Sequence, residues 1–315
     1  MNLNYVTTTT ILFFAVRSAA VLLLASLGGI FSERSGVVNI ALEGMITMGS
    51  FAAVATTIIT KQPWLGVLAA ILAGMLMAAL HAVLSIRFKA NQVISGTAIN
   101  ILAAGLSSFL MKSLFNQGGH LLLENAPKLS DWSIPIIKDL PWIGPILGTH
   151  TPGVYLAFVF AGIAHYVLFH TPLGLRIRAV GEHPHAADTV GVNVYRTRYL
   201  GVILSGVLAG FAGSVLSIGI GSAFLENMAA GRGFIALAAV IFGKWTPLGT
   251  MAACLLFGLS EAVQVTSNLI GIGKYIPSNL MATFPYIITM LALAGFVGRS
   301  VAPAASGQPY EVDKR

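Results

Sequence analysis

TPLGLRIRAVGEHPHAADTVGVNVYRTR, residues Thr171–Arg198, is the longest polar run between apolar segments in the interior of the chain. It sets Arg176, Arg178, Arg196 and Arg198 against Glu182 and Asp188, and apolar stretches of membrane-crossing length flank it. A basic loop of moderate length stays on the cytoplasmic side of a bilayer, so this stretch orients everything around it. Within it, Pro184 follows His183 as a first-turn proline and Gly191 can close a C-terminus. The pattern predicts a helix of about two turns, too short to cross a membrane. Lying on the cytoplasmic face, it can serve as a handle for a soluble partner through Ala186, Ala187 and Val190. The plain alternative is a solvated loop with one helical turn.

Composition agrees with a membrane setting. Of 315 residues, 56% are hydrophobic and only 9% charged, where a soluble domain carries roughly a quarter charged residues. A net charge of +7 would suggest nucleic acid in a soluble protein. Here the arginines and lysines fall mostly in loops, and orientation in the bilayer accounts for them. Cys254 is alone in an apolar span, which excludes a disulfide framework and points to packing. The first residues carry neither a charged leader nor a small-residue cleavage site, so no removable signal peptide is expected. Residues 299–315 are polar, contain Pro and Ser, and are expected to form a mobile cytoplasmic tail.

Apolar runs near the length that crosses about 30 Å of hydrocarbon predict an all-α polytopic membrane protein with about nine transmembrane helices. They cover 11–30, 37–59, 64–86, 93–115, 154–169, 199–218, a short 234–242, 248–265 and 280–297. Arg87 and Lys89, the 171–198 loop, Lys244, and Arg299 with Lys314 and Arg315 then share the cytoplasmic side. That puts the N-terminus outside and the C-terminus in the cytoplasm. The longest outer loop, 116–150, holds Pro127, Pro135, Pro141 and Pro145, which argue against a long helix. Its Trp132 and Trp142 suit the outer headgroup level.

Two places depart from regular spans. Gly28-Gly29 before Glu33 and Arg34, and the glycines at 219, 221, 231 and 233, are where a helix can unwind to line a pathway or turn at the surface. No phosphate-cradling loop, G-x-G-x-x-G run, nucleophile elbow or metal-ligand spacing occurs. The chain is therefore read as having no catalytic residue, no metal and no cofactor, its energy arriving from a gradient or another subunit. Polar groups inside spans are the sharper signals, because their burial needs protein or water around them. Asn39, Glu43, Asn100, Glu261 and Gln264 are the candidate pathway residues. Glu43 has an ion pair with Arg34 as its alternative, and Asn100 a hydrogen bond across helices. Glu261 has no cation near it in sequence. Gly206 and Gly210 have the spacing for close helix contact.

At this point four stretches carry a resemblance: SERSGVVNIALEG at 32–44, NQVISGTAINILAAGL at 91–106, GLRIRAVGEHPHAADTVGVNV at 174–194 and GRGFIALAAVIFGKWTPLG at 231–249. In this order they resemble the permease subunits of bacterial ABC importers for nucleosides and simple sugars, in the wider family that includes ribose and branched-chain amino acid permeases. The resemblance implies a type II importer-like fold with a single transmembrane permease domain, 1–298, in the cell inner membrane. It implies a second permease, paralogue or copy, a cytoplasmic ATPase that uses ATP and Mg, and an external substrate-binding protein. Glu182, His183, Pro184, His185, Ala186, Ala187, Asp188 and Gly191 would then form the coupling helix that docks into the ATPase. Some members carry a further N-terminal helix that this chain is expected to lack. Nucleosides are the favoured cargo, with simple sugars or a flavin-type compound as the alternative. A secondary transporter using Glu43 or Glu261 as a proton carrier is the rival of another class.

Overall fold

The computed structural model describes residues 3–124, 126–267 and 301–311, with isolated positions between 280 and 290. Seven of its helices are long and apolar enough to cross a membrane, which makes the chain an all-helical multi-pass membrane protein. They are α1 Leu3–Arg34, α2 Leu42–Thr60, α3 Pro63–Ala82, α4 Gln92–Phe115, α7 Pro152–His170, α10 Val194–Ser214 and α12 Pro247–Val265. One π-helical turn extends α3 through Arg87, and another extends α10 through Ile220. Among the described residues, the helices of the outer loop are the short α5 Pro135–Lys138 and α6 Ile143–Leu147. On the opposite side lie α8 Pro172–Glu182 and α9 Pro184–Thr189.

The expectation of about nine spans is corrected to seven among the described residues. The short seventh stretch is α11, Arg232–Phe242, whose 11 residues reach about 16 Å, half the hydrocarbon thickness. The chain still changes sides there. A strand at Ala223–Leu225 pairs with another, His120–Leu122, in the outer loop, while Trp245 bonds to Glu33 and Arg34 at the far end of α1. The ninth expected span, 280–297, lies outside the described residues. Tyr5 packs on Trp142 of the outer loop, whereas 301–311 lie against α8, so the two ends sit on opposite sides.

Gly28 and Gly29 do not interrupt α1, contrary to expectation. They let it pack: a Cβ on Gly28 would stand 2.8 Å from the Ser205 carbonyl of α10. The helix is buried from Ala19 through Glu33, so the first span is a central column rather than a peripheral one. The break comes later, at 35–41, before α2 begins. Gly206 and Gly210 of α10 do make a close contact, against Ala70, Gly74 and Ala78 of α3. Gly49 of α2 meets the Gly210 carbonyl from a third direction. Small residues thus bring α2, α3 and α10 to backbone contact, where dispersion rather than water exclusion holds helices together in lipid.

The outer loop is fastened to α1. Arg17 of α1 pairs with Asp131 at 2.8 Å and lies over the Phe13 ring. His150, fully buried, stacks on Phe13 and donates from Nε2 to the Ile146 carbonyl at 2.7 Å. Burial lowers the His150 pKa from its ordinary value, the Ile146 bond opposing and nearby Arg17 adding to the fall. A lowered histidine pKa contributes stability that is complete above the unfolded value near 6.5 and lost as pH falls below it. The 116–150 loop is therefore expected to become protease-sensitive in acid, and His150→Phe to remove that dependence. Equal acid sensitivity in both chains would assign it to other groups.

Candidate functional site

Residues 35–41 are irregular backbone between two spans, and every exposed amide in such a place needs a partner. Ser32 provides two of them: its carbonyl accepts from Val37 N at 3.1 Å, and its Oγ donates to the Val37 carbonyl at 2.7 Å. Val38 N donates to Gln92 Oε1 at 2.7 Å, and the Val38 carbonyl accepts from His81 Nε2 at 3.1 Å. Asn39 is fully buried, bonds to Ser205 Oγ at 2.5 Å and accepts from Ala41 N at 3.1 Å. Asn100 reaches across from α4, donating to the Ile40 carbonyl at 3.0 Å and accepting from Gly44 N at 2.8 Å. It is thus an N-terminal cap for α2 delivered by another helix. The hydrogen bond across helices is the role the geometry gives Asn100.

Glu43 does the same for α11. Its two oxygens accept from Gly231 N and Gly233 N, both at 2.7 Å. The carboxylate sits where a helix presents orphan donors and a partial positive charge. Gly231 adopts φ +84°, a left-handed turn that favours glycine, and a Cβ on Gly233 would stand 2.6 Å from Glu43 Cα, so the approach of α2 requires glycine at 233. Pairing of Glu43 with Arg34 is overturned: Arg34 donates to the Trp245 carbonyl and lies 3.9 Å from Glu182. Glu261 has a cation after all, Arg232, the first residue of α11. Sequence distance concealed it, the two being 29 positions apart. Glu43, Arg232 and Glu261 therefore converge on the start of the half-length helix, with Asn39 and Asn100 one turn away at the start of α2. Gln264 is half-buried on α12, and among the described residues no side-chain hydrogen bond ties it to this group.

The 171–198 loop holds more helix than its pattern suggested. Thr171 caps α8 by accepting from Gly174 N at 3.2 Å, and Pro172 occupies the first turn. His183 separates α8 from α9 with extended backbone, and Pro184 starts α9 as expected. Gly191 takes φ +84° after the helix. His183, His185, Ala186, Asp188, Val190 and Gly191 are exposed, Pro184 half-buried, and Glu182 exposed beside Arg34. Ala187 is the exception. It is only 4% exposed and packs with Val180, Val194 and Tyr310, so it faces the protein and not a partner. A single short helix has too few turns to reveal which face is inward. Sequence reading also missed Arg232, His81, Gln92 and Trp245; intramembrane position signalled only His81, a polar residue in an apolar run.

Residues 11–293 match the family described as the permease component of branched-chain amino acid transport systems. The guanosine ABC transporter permease protein NupQ of Bacillus subtilis is 45% identical over 94% of this chain and 95% of its own. The nucleoside ABC transporter permease protein NupC of Lactococcus lactis is 43% identical over 92% of each chain. The putative glucose ABC transporter permease protein TsgC13 of Haloferax volcanii is 35% identical over 94% of this chain and 95% of its own. No solved structure matches the chain.

Proposed function

The chain belongs to this permease family, and we propose that it is the transmembrane subunit of an ATP-driven importer whose cargo is nucleosides. The observation that carries the reading is near full-length identity of 45% and 43% to permeases named for guanosine and nucleoside transport. The subunit is not itself an enzyme; ATP is hydrolysed by a separate cytoplasmic ATPase, and a second permease and an external binding protein complete the assembly. It sits in the bacterial inner membrane in a type II importer-like arrangement, with a permease domain over 1–298.

In this reading α9 and its flanks, Glu182 to Gly191, dock into the ATPase and carry its closure into the spans. Asn39, Glu43, Asn100 and Glu261 border the pathway by holding the interrupted starts of α2 and α11, and Gln264 lies beside them. Interrupted helices seated by side chains from their neighbours suit a part that rocks between two arrangements. Proton coupling is the weaker alternative, since Glu261 is ion-paired and both Glu43 oxygens already accept N–H groups. Simple sugars are the alternative cargo, favoured by the 35% relative named for glucose.

The test is uptake of labelled guanosine, adenosine, uridine and glucose by cells with and without the gene, and by the reconstituted complex. Nucleoside uptake that needs ATP and survives a proton ionophore is the expected result. Uptake of glucose alone would move the cargo to sugars, and collapse under ionophore at constant ATP would overturn the ATP-driven reading.

A further inference from the structure

Residues 301–311, expected to be a mobile tail, are packed along the cytoplasmic face. Ala305 N donates to the Gly181 carbonyl at the end of α8 at 2.9 Å, and Ala304 N to Glu182 Oε2 at 3.2 Å. Gly307 N reaches the Gly36 carbonyl at 3.3 Å, just beyond α1. Arg198, buried at the start of α10, donates to the Gln308 carbonyl at 2.8 Å. Gly36, at φ +92°, leaves the room this needs: a Cβ there would meet Arg198 Nη2 at 2.9 Å and the Ala305 carbonyl at 3.3 Å.

One aromatic residue fastens the tail to the protein body. Tyr310 is 4% exposed and completes a small apolar cluster with Val180 of α8, Ala187 of α9 and Val194 of α10. Its ring lies 5.1 Å from His185 and 5.5 Å from Tyr195, and Tyr195 Oη donates to the Tyr310 carbonyl at 3.3 Å. Beyond it Glu311 meets Lys89 of the α3–α4 connection at 2.5 Å. That hydrogen bond raises the Lys89 pKa and lowers that of Glu311.

A six-residue helix has little stability of its own. What seats α9 here is Ala187, packed with Val180 of α8, Val194 of α10 and Tyr310 of the tail. We infer that the C-terminal tail is a strap that positions α9, with Tyr310 as the positioning residue that transmits force from that helix into α1, α8 and α10. The inference deepens the proposed function, since it concerns the surface through which the ATPase would act. A helix pushed by a partner moves the spans only if it is braced against them, and the strap ties α9 to each of these elements.

The experiment compares wild type with Tyr310→Ala, Tyr310→Phe and a chain ending at residue 300. Hydrogen exchange of amides 183–193 in the purified permease alone reports the seating of α9. ATP hydrolysed per nucleoside imported in the assembled complex reports coupling. Tyr310→Ala and the shortened chain are expected to exchange many-fold faster at 183–193, with the rest of the spans unchanged, and to hydrolyse several-fold more ATP per nucleoside. Tyr310→Phe keeps the ring and the carbonyl and is expected to restore both values. Unchanged exchange in Tyr310→Ala would overturn the strap. Faster exchange with unchanged coupling would overturn its role in transmitting force. If wild type imports no nucleoside, the exchange result stands and only the proposed function fails.

Discussion

Glu43→Gln is expected to insert at near-normal levels and to lose most uptake. The carboxylate accepts two amide protons from the first turn of α11, each at 2.7 Å. An amide side chain offers one acceptor and presents an NH2 group to the second donor. Hydrogen bonds to a charged group contribute about 1.5–3 kcal/mol each, so losing one and setting an NH2 group against its donor costs about 3 kcal/mol. Seven apolar spans hold the molecule in the bilayer, so insertion survives. The loss falls on the seating of α11, which has only 11 residues and cannot cross the membrane alone. A shift of about 3 kcal/mol changes the population of the seated arrangement by roughly two orders of magnitude. Gly233→Ala attacks the same contact from the other side, because the added methyl would stand 2.6 Å from Glu43 Cα and force α2 and α11 apart. Overpacking of this kind typically costs about 1–3 kcal/mol. The check is uptake per inserted permease for both variants. Wild-type rates in both would reduce the Glu43 contact to an incidental cap.

Local physics made much of this architecture legible. Six of the seven long helices follow apolar runs to within a few residues, and Pro63, Pro152, Pro172, Pro184 and Pro247 mark first turns where a missing amide proton costs nothing. The glycine spacing in α10 named a real contact. What escaped reading is long-range. The unwinding at 35–41 is possible because Gln92, His81 and Asn100, more than 40 positions away, satisfy its backbone. The pairing of Glu43 with Gly231 spans 188 positions, and no local pattern announces it. Apolar Val37 to Ala41 read as membrane span because hydropathy reports burial, not helicity. The tail misled for a related reason. Its composition is that of a loop, and one aromatic, Tyr310, anchors it to a cluster assembled from α8, α9 and α10.

That cluster separates two substitutions that look alike in sequence. Val190 follows α9 and is 78% exposed, an apolar side chain left in water at the point where the ATPase is proposed to dock. Val190→Glu changes nothing inside the permease, since the side chain touches solvent. In a groove on the partner, an unpaired carboxylate would have to shed water, at a cost of several kcal/mol, and the gain of about 2 kcal/mol from burying the valine would be lost as well. The two penalties add, and even about 3 kcal/mol of them weakens association by more than a hundredfold. The variant is therefore expected to purify with wild-type thermal stability and wild-type exchange at 183–193, to lose the ATPase on co-purification, and to import nothing. Ala187→Glu is expected to fail by another route. At 4% exposure its carboxylate would displace Tyr310 and the two valines beneath it, so α9 and the tail would exchange faster with no ATPase present. Full ATPase retention and full uptake by Val190→Glu would remove α9 from the docking surface, whatever Ala187→Glu does.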